Sequence, residues 1–446
     1  MASAIPEALR QQLEEKTGAV IVSEVARGGG GASRNGAEVM LRGADGAERH
    51  GWLAWDNRAG DPSRLAYFER ETAILSALSG PFRDSGVRVA PLIAAFPSHL
   101  ALLSEFVGGN DRFPQAEDKD GLARDFVGQL AALHRVDASH PALAALGDAA
   151  EPPSARIAAN IAAWRAMNLA KGADPVLQIA LHWLARNIPE DRGPAVVLHG
   201  DAGPGNFLFK GNRVAALVDW ELTHLGDPME DLAQIAVRSL IQPFVPMRDV
   251  FTAYEAASGT AVDAARVKFH RLYFQLSFTV PGATHGPPAT GTALLFGTMH
   301  KRVIVRTVAE LAGISVRDPA LADVPAEAMD RTFQTALDDL KTDIVPAASN
   351  QRAAAKAKEL ARLVKYWRMR AACGAAYDAA ELAETNALLR TSYATLAEAR
   401  TALAQAIAAE AVEFAAAVQL CHARVTRETH VMADAMGALA TTWYED

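Results

Sequence analysis

The chain has 446 residues, half of them hydrophobic and 22% charged, a globular composition too long for a single ordinary core. Its formal net charge of −8 argues against sequence-independent nucleic-acid binding, which needs a basic face. Its two cysteines, Cys373 and Cys421, make neither a disulfide framework nor a zinc set, which fits a reducing compartment.

No apolar run reaches the roughly 18 residues that a membrane span requires, and the glutamate-bearing N-terminus has no apolar signal core. A cytoplasmic protein with no membrane and no nucleic-acid partner is expected.

Residues 5–16 read as a short amphipathic helix. Strand-like runs follow at 19–26, 37–43 and 51–55, with a glycine cluster, RGGGGASRNG, between the first two and an Asp45-Gly46 turn before the third. The segment 64–80 has apolar residues at helical spacing and stops at Gly80. Two further strands are expected within 89–109, closing on Gly108-Gly109. From about 117 to 190 the pattern is helical. A buried strand follows at 213–222, then helices to about 312. After the Asp-Pro and Val-Pro punctuation of 314–329, the last region is alanine-rich and reads as a helical bundle.

The densest chemical signal is HGDAGPGN at 199–206, followed by VAALVD ending at Asp219. Asp201, Asn206 and Asp219 supply a carboxylate, an amide oxygen and a second carboxylate from loops that follow apolar strands. All are hard oxygen donors suited to Mg²⁺, which keeps few protein ligands beside phosphate and water. A carboxylate next to them can accept the proton of an attacking hydroxyl. One base and two metal-holding groups are what phosphoryl transfer asks of a protein. The spacing matches the kinase pattern H-R-D-x-x-x-x-N with Gly200 in place of arginine. His199 by itself reads as a satisfied core histidine.

The stretch VVLHGDAGPGNFLF…VAALVDWELTHLGDPMEDLA (196–233) resembles the aminoglycoside phosphotransferase and choline kinase-like family, most closely the subfamily fused to acyl-CoA dehydrogenases. The resemblance extends over about 18–312. It implies an α+β, bilobal protein-kinase-like fold, with an N-terminal nucleotide-binding lobe (1–107) and a helical catalytic lobe (108–315); the alanine-rich region adds an all-helical C-terminal domain (316–446). The resemblance also implies an ATP- and Mg²⁺-dependent small-molecule kinase. Asp201 would then be the catalytic base, Asn206 and Asp219 the metal ligands, and Asp227 and Asp231 structural.

In the first lobe, Gly29, Gly30, Gly31 and Ser33 would contact phosphates, and Glu71 would pair with a cation on the third strand. Glu105 and Val107 would meet the purine edge. The strand cation is missing, because GWLAWDNR places Trp55 and Asp56 where lysine or arginine belongs. Arg58 and Arg42 are the candidate replacements. This departure motivates a second reading, a catalytically weak kinase-fold protein that binds a nucleotide or small molecule.

A Pro/Gly-rich stretch at 277–292 containing His285 is a candidate pocket wall. The absence of an acidic cluster in 240–300 leans away from polycationic sugars. The dehydrogenase-fused relatives imply a hydroxy acid or hydroxyacyl-CoA as the hydroxyl-bearing acceptor. The C-terminal helices read as a packing module or the seat of a homodimer.

Overall fold

Leu9 and Leu13, one turn apart on the first helix α1 (Glu7–Thr17), are both fully buried. They pack with Ala37, Val39, Leu41, Leu53 and Trp55 into one hydrophobic cluster, so α1 covers one face of a sheet. Truncating either leucine to alanine should cost about 2–5 kcal/mol. The computed structural model describes residues 5–27, 34–56, 58, 61–170, 172–283, 290–325 and 330–444.

The sheet has five strands, β1 (Ala19–Arg27), β2 (Arg34–Gly43), β3 (Glu48–Asp56), β4 (Leu92–Phe96) and β5 (Ala101–Glu105), in the order β1-β2-β3-β5-β4 with antiparallel neighbours. The Asp45-Gly46 turn closes the β2–β3 hairpin, with Gly46 at φ 80, and its register sets Arg34 opposite Asp56. Side chains alternate across a strand. With Ala37, Val39, Leu53 and Trp55 committed to the α1 side, Arg34, Ala54 and Asp56 fall on the other face. The helix α2 (Pro62–Ser79) supplies Glu71 to that second face.

After α3 (Lys119–Leu133) come α4 (Pro153–Ala170) and α5 (Pro175–Arg186). The short strands β6 (Val196–Leu198) and β9 (His224–Gly226) pair with each other, as do β7 (Phe207–Lys210) and β8 (Arg213–Leu217). The helices α6 (Pro228–Ser239) and α7 (Met247–Ser258) follow. The strand expected to run to residue 222 stops at Leu217, and Asp219 lies beyond it in the left-handed conformation, φ 67.

The remaining helices are α8 (Ala264–Ala283), α9 (Gly291–Leu311), α10 (Arg331–Asp339), α11 (Gln351–Leu389), α12 (Leu396–Ala408) and α13 (Phe414–Met436). The stretch expected to interrupt the helices at 277–292 is helical to Ala283 and again from Gly291, with Pro281 inside α8. Residues 284–289, His285 among them, lie outside the described residues.

The chain up to Arg156, together with Asp191–Val267, forms one compact unit, and Ile157–Glu190 with Lys268–Trp443 forms another. The second unit has a core shared by Leu177, Leu181, Leu276, Val308, Leu403 and Val418. The C-terminal helices are thus built together with segments on both sides of the 199–206 loop. The first unit holds every described candidate site residue.

Candidate active site

The loop 199–206 is held by one face of α6. Asp231, Gln234 and Arg238 are spaced three and four apart, which lines them up on a helix. Asp231 is fully buried and accepts the backbone N–H of His199 (2.9 Å) and of Gly200 (3.0 Å). It also meets His134 Nε2 at 3.0 Å. Burial pulls its carboxyl up, but these hydrogen bonds outweigh burial and hold it below the usual carboxylate range. Gln234 accepts the N–H of Ala202 at 2.8 Å. Asp227 caps α6 at its N-terminus by accepting Met229 N–H, and it pairs with Arg266.

Arg238 reaches the last part of the loop. Its Nη1 donates to Asp201 Oδ2 (2.7 Å), its Nη2 to Asn206 Oδ1 (3.1 Å), and Nε and Nη2 both donate to the carbonyl of Pro204. Asn206 Nδ2 donates to the same Asp201 Oδ2 at 2.7 Å and to the Asp201 carbonyl at 2.8 Å. Oδ2 of Asp201 therefore carries two donors, and Oδ1 is the oxygen left to take a proton.

Gly200 sits at φ 86, and a Cβ there would lie 1.9 Å from the Leu222 carbonyl oxygen. That close approach explains glycine between His199 and Asp201.

His199 is fully buried and joins the loop to the Asp219 segment. Its Nδ1 accepts the Asp201 N–H at 3.3 Å, so Nε2 carries the proton and donates to the Val218 carbonyl at 3.0 Å. Burial lowers its pKa and keeps the ring neutral. It is a satisfied core histidine with a bracing role, as its sequence context suggested.

Asp219 has its carboxyl pushed up to about 6, first by desolvation against the surrounding protein and then by the charges of Glu221, Asp201 and Glu71. Arg34 offsets this only in part. Excess negative charge in one place is what a divalent cation would neutralise. Among the described residues, no three His, Cys, Asp or Glu side chains form a metal cluster. A cation at Asp219 would therefore complete its shell with water and phosphate oxygens, as Mg²⁺ does.

Opposite lies the second face of the five-stranded sheet. Glu71 is buried, and Arg34 Nη2 stands 2.5 Å from its Oε2. Burial works against the Arg34 charge, but Glu71, Glu221 and Asp219 hold its pKa above the ordinary arginine value. Arg34, the first residue of β2, is thus the cation that pairs with Glu71. The two candidates from sequence do not. Arg42 pairs with Glu48 and is half exposed, while Arg58 pairs with Asp56 and its side chain is 53% exposed. Trp55 packs under α1. Asp56, in the other phase, binds Arg64 Nε at 2.8 Å, and Arg64 Nη2 reaches Glu221 at 3.0 Å.

Gly29, Gly30, Gly31 and Ser33 lie outside the described residues. At the end of β5, the N–H groups of Glu105 and Phe106 are taken by the carbonyls of Pro91 and His50. The N–H of Val107 has no backbone partner among the described residues. Sequence reading missed Arg34, Arg64, Gln234 and Arg238. The signal for the last two was a polar stripe at 231, 234 and 238 on a helix otherwise buried.

The phosphotransferase enzyme family (APH) matches residues 41–269. Acyl-CoA dehydrogenase family member 11 of Pongo abelii is 34% identical over 87 residues, 19% of this chain and 11% of that protein. The Gallus gallus protein of the same name is 39% identical over 61 residues, 13% of this chain and 8% of that one. The aligned segment is thus about a tenth of the length of these relatives.

Among solved structures, a Ralstonia eutropha chain assigned as an aminoglycoside phosphotransferase superposes with a TM-score of 0.52 at 19% identity. It covers 69% of this chain and 98% of that one. The α+β kinase-like fold expected from the motifs is the fold found. With more than half of its length matched and the motif-bearing segment inside that match, the chain belongs to the phosphotransferase enzyme family.

Proposed function

We propose that the protein is an ATP- and Mg²⁺-dependent kinase that phosphorylates the hydroxyl of a small molecule. The observation that carries this reading is one cluster holding Asp201, Asn206 and Asp219 on one side and the Arg34–Glu71 pair on the other. Asp201 is the base: Oδ2 is tied by Asn206 and Arg238, and Oδ1 accepts the proton of the attacking hydroxyl. Asp219 is the carboxylate that would hold the metal, and Mg²⁺ there would supply positive charge to the phosphates.

Arg34, fixed by Glu71, supplies a guanidinium for phosphate oxygens. The backbone of Val107 meets the purine edge. Gly29, Gly30, Gly31 and Ser33, outside the described residues, are assigned to the phosphates. The support for ATP is membership of the phosphotransferase enzyme family together with the Asp201, Asn206 and Asp219 set. The second reading, a catalytically weak binding protein, rested on the missing strand cation, and Arg34 removes that motive.

For the acceptor, relatives named for acyl-CoA dehydrogenation favour a hydroxy acid or hydroxyacyl-CoA. The test is transfer of labelled γ-phosphate from ATP to a panel of hydroxy acids and hydroxyacyl-CoA thioesters, with Asp201→Asn alongside the wild type. Label in an organic phosphate that disappears in Asp201→Asn supports both the reaction and the base. Equal transfer by the variant would remove Asp201 from that role.

A further inference from the structure

Two features set Asn206 apart from an ordinary metal-holding amide. Its orientation is fixed by the network around it: Nδ2 lies between two acceptors, the Asp201 carbonyl (2.8 Å) and Asp201 Oδ2 (2.7 Å). Only Oδ1 can then face the guanidinium of Arg238, which stands 3.1 Å away. The amide oxygen that a cation would need thus already accepts from a fixed positive charge.

Arg238 is not a loose surface arginine. Its side chain is 22% exposed and it makes four hydrogen bonds, to Asp201, Asn206 and twice to the Pro204 carbonyl. It projects from α6, whose Asp231 and Gln234 grip the same loop. A Cβ on Gly205 would lie 3.1 Å from its Nη2, so the loop closes directly over the guanidinium. A divalent cation placed on Asn206 Oδ1 would sit within a few ångströms of this cation, in a cleft that screens charge less than water does.

We propose that Arg238 stands in for a metal ion at Asn206, so that the site takes a single divalent cation, on Asp219. This rests on the kinase reading and narrows it. The arginine provides the positive charge beside Asn206 and, through the same guanidinium, sets the Asp201 carboxylate. It offers no open coordination position, so it organises the loop before any nucleotide arrives.

The experiment counts metal rather than activity. The full chain is titrated with Mn²⁺ in the presence of AMP-PNP, and bound Mn²⁺ is measured by electron paramagnetic resonance for the wild type and for Arg238→Met. Thermal unfolding without metal confirms that the variant is folded. The expected result is one nucleotide-dependent Mn²⁺ per wild-type chain and a second one in Arg238→Met. Two Mn²⁺ in the wild type would overturn the inference whether or not the variant folds, as would a folded variant that still takes one. A chain that binds no AMP-PNP, with or without Mn²⁺, would overturn the kinase reading as well. It is recognised separately, because the nucleotide titration itself then fails.

Discussion

Arg34 at the start of β2 and Glu71 within α2 form a buried ion pair, Nη2 to Oε2 at 2.5 Å, across from Asp201 and Asp219. Arginine at this place ties the start of β2 to α2. Its removal would leave a buried carboxylate without its partner. Arg34→Met should therefore destabilise the chain by about 3–5 kcal/mol. It should also weaken Mg²⁺–ATP binding on the order of 10- to 100-fold, the worth of one or two charge-assisted hydrogen bonds. Thermal unfolding and nucleotide titration measure the two effects. Arg42→Met, which removes only the exposed pair with Glu48, should change neither appreciably.

The raised pKa of Asp219, about 6, has a definite sign. Below that value the folded chain keeps a proton that the unfolded chain has already released, so stability falls as pH rises from about 4 through 6. Mg²⁺ held by Asp219 would need the deprotonated carboxylate, so its affinity should rise over the same interval and level off above pH 7. Mg²⁺ titration at several pH values checks this, with Asp219→Asn expected to abolish both the binding and the pH dependence.

Gly200→Ala should be among the most damaging single substitutions in the chain. It forces a side chain into a left-handed conformation and against the Leu222 carbonyl oxygen, and neither backbone has room to move while Asp231 holds the Gly200 N–H. A loss of about 3 kcal/mol or more is expected, read as a lowered melting temperature with loss of metal binding.

In the second unit, Arg424 is buried with Asp174, Glu381 and Glu428 around it, Nη1 to Asp174 Oδ1 at 2.8 Å and Nε to Glu428 Oε1 at 2.9 Å. Despite burial, Arg424 and Lys301 hold the Asp174 carboxyl far below its ordinary value. That stability is fully present above the unfolded value of about 3.9 and is lost as pH falls below it. Arg424→Met leaves three carboxylates facing two cations, Lys301 and Arg400, and should cost about 3–5 kcal/mol at neutral pH, with a shallower loss towards acid than the wild type shows. Urea unfolding at pH 7 and pH 3.5 measures both.

Much of this was legible in the chain. The fixed offsets among His199, Asp201, Asn206 and Asp219 carried the site. The apolar runs and glycine stops gave the five-stranded sheet and its helices within a few residues. The partner of Glu71 is not encoded on β3, where local spacing points; it comes from the neighbouring strand β2, as Arg34. The Asp45-Gly46 turn contained the answer: counting back from it places Arg34 opposite Asp56. Alternation across β3 then explains why Trp55 is irrelevant to the cleft.

Arg238 escaped notice for another reason. Its role depends on how α6 lies against the loop, a tertiary relation that spacing along one helix suggests but does not fix. The second unit joins 157–190 to 268–443, segments far apart in the chain whose association local patterns do not encode.

The central claim is that this site binds a nucleotide through a metal on Asp219. Calorimetric titration of the full chain with ATP, with and without Mg²⁺, tests it most directly. Saturable, Mg²⁺-dependent binding that is lost in Asp219→Asn and weakened in Arg34→Met is the predicted result. No heat at millimolar ATP, or binding equally strong without Mg²⁺ and in Asp219→Asn, would contradict the account.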